Sequence, residues 1–327
     1  MERNGSSLHQ TMMMVIFLLN TLLHCIHAVH HDATHQLNYD IMEKLGKLTD
    51  KTFTHYYHRF YPNLFAQQNI NRSSSFKMLE IGFGQGGSVP LWENLFPNAN
   101  ITWIDYSPVD HPNRATCVPN QQHCQATLHF DNQTHLSRSR FYHGSQSNVT
   151  FLQSVVQEQC GDVPCFDIII DDGGHGYVQQ LTSFHTLFSS ALVHNGLYII
   201  EDIETSWWTY GEQYNDLTYG GRNAPHTPVN VWKRFADVIN HEFFDHEYVA
   251  DVRTKEVERF ISSISFHQNM MTATKKTKFE MELDVNVFNN RKYRFRNRVE
   301  GWRAKSVKED GKVKEDKEDY NNQGQSV

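Results

Sequence analysis

The chain has no surplus of positive charge. Its 30 lysines and arginines are outnumbered by 37 aspartates and glutamates, for a net charge of −7. That balance leaves no electrostatic footprint for a nucleic acid. Cys-x-x-Cys pairs are absent, which removes a zinc ribbon. No internal repeat and no low-complexity linker divides the chain, so one globular unit is expected. The apolar stretch Met12–Ile26 is interrupted by Asn20 and His24 and falls short of the ~20 residues that span a bilayer.

That stretch reads instead as a leader. Arg3 precedes it, and Ile26-His27-Ala28 offers a small residue for cleavage, so residues 1–28 are expected to be a signal peptide. The mature protein would then be secreted or lumenal, with no stable membrane span after cleavage. Cys25 lies in the leader, leaving Cys117, Cys124, Cys160 and Cys165. An oxidising compartment would pair them, and short loops favour Cys117–Cys124 and Cys160–Cys165 among three pairings. Four free thiols of a cytosolic enzyme are the competing reading. Sequons at Asn71, Asn100, Asn132 and Asn148 would permit glycans. Residues 304–327 mix charges without apolar periodicity and read as a solvated tail. Between the ends, residues 29–75 read as a helical cap and residues 76–303 as an α/β domain.

Two segments of that domain carry the chemistry. Phe166–His175 reads FDIIIDDGGH, and GLYIIED ends in Glu201-Asp202. Each is a short apolar run that stops in carboxylates, as a buried parallel strand does where its end opens into a site. If the two strands are neighbours, Asp172, Glu201 and Asp202 converge, with His175 close by. Three hard oxygen ligands suit Mg²⁺. The histidine could take a proton from a metal-bound hydroxyl.

Upstream, Phe76–Pro108 reads as strand, glycine turn, helix and strand. Glycines 82, 84, 86 and 87 let a backbone approach a ligand at a helix N-terminus. Asp105 lies 23 residues beyond Gly82, where an acid accepts hydrogen bonds from a ribose diol. Gly82, Gly84 and Gly87 also satisfy G-x-G-x-x-G, so an NAD-dependent oxidoreductase competes. Glu80, two residues before Gly82, completes E-x-G-x-G-x-G, the pattern of class I S-adenosylmethionine (SAM) methyltransferases.

The resemblance then narrows. LTDKTFTHYYHRFYPNLF (Leu48–Phe65), SVPLWENLFPNANITWID, Asp171-Asp172-Gly173-Gly174-His175 and GLYIIEDIETSWW follow one another as in metal-dependent sugar O-methyltransferases of the mycinamicin and macrocin type. The chain resembles that family from about Leu48 to Lys275. The resemblance implies a Rossmann-like class I methyltransferase fold, a mostly parallel sheet with helices on both faces and an antiparallel terminal strand. It implies SAM and Mg²⁺ as cofactors, with His175 as general base and Asp172, Glu201 and Asp202 as metal ligands. Glu80, Gly82, Gly84 and Asp105 would meet the cofactor, as would Gln146, in the Gly144-Ser145-Gln146 that stands where many class I enzymes carry Gly-Asp-Ala/Gln. Asp171 would face the sulfonium or the metal's surroundings, or else only fix the turn. Thr49, Lys51, His55 and Tyr57 match the family segment, though a helix cap with a solvated lysine explains them nearly as well. His55 and His58 are expected on exposed helices.

Further along, Trp207, Trp208 and Tyr210 could wall an acceptor or pack in the core, and Glu212–His226 suits a lid. The expected acceptor is a small molecule with hydroxyls, a sugar or glycoside. Assembly into a homo-oligomer is left open. The alternative from another class is a secreted, noncatalytic SAM- or glycan-binding protein of the same fold.

Overall fold

The computed structural model describes residues 40, 42, 49–82, 84, 86–106, 123–124, 138–209, 221–225, 227–240, 257 and 259–283. Among these residues, eight strands form one sheet: β1 (Lys77–Ile81), β2 (Asn100–Asp105), β3 (His123–Cys124), β4 (Ser139–His143), β5 (Phe166–Asp171), β6 (Leu192–Glu201), β7 (Ile261–His267) and β8 (Met270–Lys275). The order across the sheet is β3-β4-β2-β1-β5-β6-β8-β7. The five central strands run parallel. At the edges β3 pairs antiparallel with β4, β8 with β6, and β7 with β8. The helices are α1 (Asp50–Phe53), α2 (Tyr61–Gln67), α3 (Ser88–Leu95), α4 (Val149–Cys160), α5 (Tyr177–Ser190), α6 (Pro228–Lys233) and α7 (Phe235–Asn240).

The strands are apolar on both faces because both are covered. Met78, Trp103, Ile168 and Ile170 turn to one side, against Tyr61 and Phe65 of α2 and Trp92 of α3. Their neighbours Leu79, Ile104 and Ile169 turn to the other, against Leu152 of α4, Phe184 and Phe188 of α5, and Trp232 of α6. Successive residues thus enter two separate cores, the period-two alternation of a strand. Burying each such side chain contributes about 1.5–3 kcal/mol.

The direction of progression reverses at β1, which lies between β2 and β5. A crevice opens beyond the carboxyl ends at such a point. Register sets the levels there: Ile81 faces Asp171, Asp171 faces Ile200, and Glu201 faces Met270. Gly82 (φ +96°) turns the chain out of β1, and a Cβ on it would lie 1.9 Å from the carbonyl oxygen of Asp172. Only glycine fits where these two strand ends cross.

Some expectations are refined. The strand expected from Gly196 starts at Leu192, because Asn195 adopts a left-handed φ of 63° that lets the chain bend and stay in the sheet. The stretch from Asn230, amphipathic in sequence, lies across two short helices, α6 and α7, parted at Arg234, whose guanidinium donates to the Pro225 carbonyl at 2.9 Å. Cys160 and Cys165 are disulfide-bonded, joining the end of α4 to the start of β5. The Cys117–Cys124 pairing, the leader, the first part of the helical cap, most of the lid, and the charged tail lie outside the described residues. No described helix is long and apolar enough to cross a membrane.

Candidate active site

Two groups of residues meet in one cleft of about 980 Å³ at the carboxyl ends of the parallel strands. At one end Gly82, Gly84, Asp105, Tyr106 and Gly144–Gln146 form the walls. The Gly84 amide donates to Asp105 Oδ2 at 2.8 Å, so the glycine loop and the acid after β2 are held together. Gly84 sits at φ +50° with open space where a Cβ would project. A ligand can therefore come against bare backbone there.

Gln146 lines the cleft and is buried, and its amide is already engaged. Its Nε2 donates to Asp171 Oδ1 at 3.0 Å, and its Oε1 accepts from the Gly174 amide. It thereby ties the loop after β4 to the turn after β5. Asp171 is 1% exposed and also accepts from Ser183 and, at 3.3 Å, from Tyr198. Burial pushes its pKa up to about 6, against the pull of those hydrogen bonds. Of the two roles read for Asp171, the geometry is that of fixing the turn: it lies behind the wall, not on it.

At the other end stand Asp172, His175 and Asp202, whose ligand atoms all lie within 4.8 Å of one another. His175 Nε2 is 3.9 Å from Asp202 Oδ2. Asp202 takes a left-handed φ of 53°, which turns it off the line of β6 and into the cleft. Tyr57 donates to its Oδ1 at 2.5 Å, and Asn269 Nδ2 donates to the same oxygen at 3.2 Å. Burial, then the charges of Asp172 and Glu204, raise the Asp202 pKa to about 7. His55 Nδ1 approaches Asp202 at 3.6 Å.

Behind this mouth lies a third group. Lys51, only 1% exposed, directs its ammonium at Glu80 Oε1 (3.2 Å), Asp172 Oδ2 (2.5 Å) and Glu201. Burial alone would lower its pKa, but Asp172, Glu201 and Glu80 together hold it well above the usual lysine value. Glu80 also accepts from Trp92 Nε1 at 2.7 Å, and Glu201 from the Tyr61 hydroxyl. Burial pushes Glu80 up to about 7 and holds Glu201 well above the usual carboxylate range, with Lys51 opposing in both.

Three sequence expectations change here. Lys51 is not solvated but buried. His58 is buried rather than exposed, and His55 belongs to the site's border. Glu80 and Glu201, read as a cofactor contact and a metal ligand, are buried, with Lys51 and Trp92 against the first and Lys51 and Tyr61 against the second. Tyr61 and Asn269 were not singled out from the sequence. Tyr61 carries a signal, four residues after Tyr57 in the same motif; Asn269 sits in the β7–β8 turn and carries none. Of the aromatic group, Trp207 is 46% exposed, which removes core packing for it, while Tyr210 lies outside the described residues.

The strand order and the glycine turn at its reversal define a class I methyltransferase fold. No family model matches the chain. It is 27% identical over 209 residues to mycinamicin VI 2''-O-methyltransferase of Micromonospora griseorubida, a match covering 61% of this chain and 44% of that enzyme. It is 29% identical over 195 residues to a tetracenomycin-C 3'-O-methyltransferase of Streptomyces olivaceus, covering 58% and 41%. Demethylmacrocin O-methyltransferase of Streptomyces fradiae is 26% identical over 214 residues, covering 61% and 45%. Each match thus spans about half, or less, of the relative's own length. Among solved structures, the MycE methyltransferase of mycinamycin biosynthesis, in complex with Mg and SAH, superposes with a TM-score of 0.53 at 24% identity, over 73% of this chain and 54% of that one. The likeness to the sugar O-methyltransferases read from the motifs is therefore found again in sequence matches over 58% to 61% of the chain.

Proposed function

We propose that the protein is a SAM- and Mg²⁺-dependent O-methyltransferase that acts on a hydroxyl of a sugar or glycoside. One observation carries this reading: the Gly84–Asp105 pair and the Asp172–His175–Asp202 group face the same cleft. The residues fit both groups. Bare backbone at Gly84 beside a carboxylate suits a ribose, and two carboxylates open to the cleft suit a hard cation. When bound, these groups supply an electrophilic methyl and a charge that acidifies the acceptor hydroxyl.

The chain's own residues do the rest. Gly84 and Asp105 fix the donor end, and Asp172 and Asp202 fix the acceptor end, so the reactants are aligned before reaction. His175 accepts the hydroxyl proton at Nε2, and the Asp202 carboxylate at 3.9 Å favours the imidazolium that forms. Tyr57 and Asn269 hold Asp202 in its unusual backbone conformation. Exposed Trp207, on the turn after β6, offers an aromatic face to a sugar ring. The named activities of the relatives, on sugar hydroxyls of macrolides and tetracenomycin, support this class of acceptor. The Cys160–Cys165 bond supports a secretory compartment for the reaction.

The test is methyl transfer from labelled SAM to a panel of glycosides with Mg²⁺ or EDTA. EDTA should abolish turnover, and His175→Ala should reduce it by roughly 10²–10⁴-fold, less at high pH where hydroxide substitutes for the base. Calorimetry should find SAM binding weakened in Asp105→Ala and retained in His175→Ala. Turnover that survives EDTA, or tight NAD binding in place of SAM, would remove the reading.

A further inference from the structure

The backbone that carries His175 is held by side chains. It leaves β5 at Asp172, whose amide donates to the Ile81 carbonyl at 2.9 Å, and enters α5 at Gly176, whose carbonyl accepts from Gln180 at 3.0 Å. Between these points three side chains from three elements take polar groups of the turn. Gln146, after β4, accepts from the Gly174 amide, and Gln179 of α5 accepts from the Gly176 amide at 3.2 Å. Thr205, in the turn after β6, donates its hydroxyl to the His175 carbonyl at 3.1 Å. The two glutamines press so close that a Cβ on Gly173 or Gly174 would strike their amides. Both glutamines also line the cleft, whereas Thr205 stands outside its walls and is 1% exposed.

A hydroxyl has one hydrogen to donate, and here it fixes the peptide plane from which the His175 side chain projects. Asp202 lies three residues before Thr205 on the same segment. The next residue, Ser206, accepts from the Val229 amide at 2.9 Å, which ties that segment to α6. We propose that Thr205 is a positioning residue that sets His175 against Asp202. The bond joins a neutral hydroxyl to a backbone carbonyl, so charge in the cleft does not decide it. Losing it lets the turn shift, and a displacement of about 1 Å at a reacting group costs up to roughly 10²-fold in rate. This rests on the reading of His175 as the base given above.

The experiment compares the full protein with Thr205→Val, which keeps the shape and removes the donor, and with Thr205→Ser, which keeps the donor. Amide hydrogen exchange on the protein as isolated should be roughly tenfold faster at Gly174–Tyr177 in Thr205→Val and unchanged in β1. In methyl transfer from labelled SAM, Thr205→Val should lose roughly 10–10²-fold in kcat. Its SAM affinity by calorimetry should be unchanged, and Thr205→Ser should restore the rate. Added to His175→Ala, Thr205→Val should cost nothing further, because the group it positions is gone. If Thr205→Val does not fold, Thr205→Ala, which leaves room for a water, should show the same pattern at a smaller size. Wild-type exchange at the turn, a wild-type rate, or an equal loss in the His175→Ala background would overturn the role of Thr205 and leave the His175 reading standing. A wild type that transfers no methyl group, or near-normal turnover by His175→Ala, would overturn both.

Discussion

Among the described residues two lysines are buried against the sheet, one at each end, and they behave in opposite ways. Lys51 is 1% exposed and Lys275 is 2% exposed. Lys51 sits at the carboxyl ends of the parallel strands among Glu80, Asp172 and Glu201, and its pKa is held high. Lys275 ends β8, which runs antiparallel to β6, so it reaches the opposite edge. Its ammonium donates to the carbonyls of Ser189 at 2.8 Å and Leu192 at 2.6 Å and lies over the Phe260 ring. Burial lowers its pKa to about 8. Equal burial thus gives opposite proton affinities, because one lysine meets full negative charges and the other only dipoles. The far edge uses its lysine to close the last turn of α5, where helix carbonyls lack partners. The site edge concentrates charge that costs stability and that an enzyme can use.

The comparison breaks most visibly at Gly82. At the site edge the backbone has no slack: a Cβ there would meet the Asp172 carbonyl at 1.9 Å while the residue holds φ +96°. Gly82→Ala should cost on the order of 2–6 kcal/mol, adding overpacking to backbone strain. Urea denaturation checks this. A loss below about 1 kcal/mol would show that the two strand ends separate easily and that the edge is not rigid.

How legible this was in the sequence follows from what each feature depends on. The strands that end in carboxylates were readable, because burial on both faces writes an unbroken apolar run and a site interrupts it. Phe166–Asp171 lies where expected, and β6 is its parallel neighbour, as the convergence of Asp172 and Asp202 requires. The roles within the cluster were not readable. Glu201 and Asp202 are adjacent in the chain, and what parts them is the positive φ of Asp202, which no propensity of aspartate specifies. Lys51 reaches Asp172 and Glu201 across 121 and 150 residues, so a motif can flag it but only tertiary contact can show it buried. Asn269 joins the site from a hairpin turn for the same reason.

A middle-sized effect is expected at Trp92, which sharpens the view that the carboxylates behind the cleft need every donor they have. Its indole N–H is a donor to Glu80 at 2.7 Å. Trp92→Phe keeps an aromatic ring in the core but leaves that oxygen without its partner, at a cost of about 1–3 kcal/mol. Thermal unfolding should show the loss, and Trp92→Phe combined with Glu80→Gln should show less than the sum of the two single changes. Strict additivity would mean that the contact is incidental to the charge cluster.

The smallest effect belongs to Lys275, and its sign separates the two lysines. Its folded pKa, about 8, lies below its ordinary value of 10.5. Below pH 8 both the folded and unfolded chains carry the proton, and the cost of burying the ammonium is fully present. Between pH 8 and 10.5 the folded state gives up the proton first, so this contribution to stability improves as pH rises. Lys275→Met removes the cost at neutral pH but also the bonds to Ser189 and Leu192, so its net effect at pH 6.5 should stay within roughly 1 kcal/mol. Denaturation at pH 6.5 and pH 9 should show the wild type gaining stability relative to Lys275→Met by on the order of 1 kcal/mol. Parallel behaviour of the two proteins across that range would mean that Lys275 keeps its proton at pH 9, as Lys51 does, and the distinction between the two ends of the sheet would then rest on Lys51 alone.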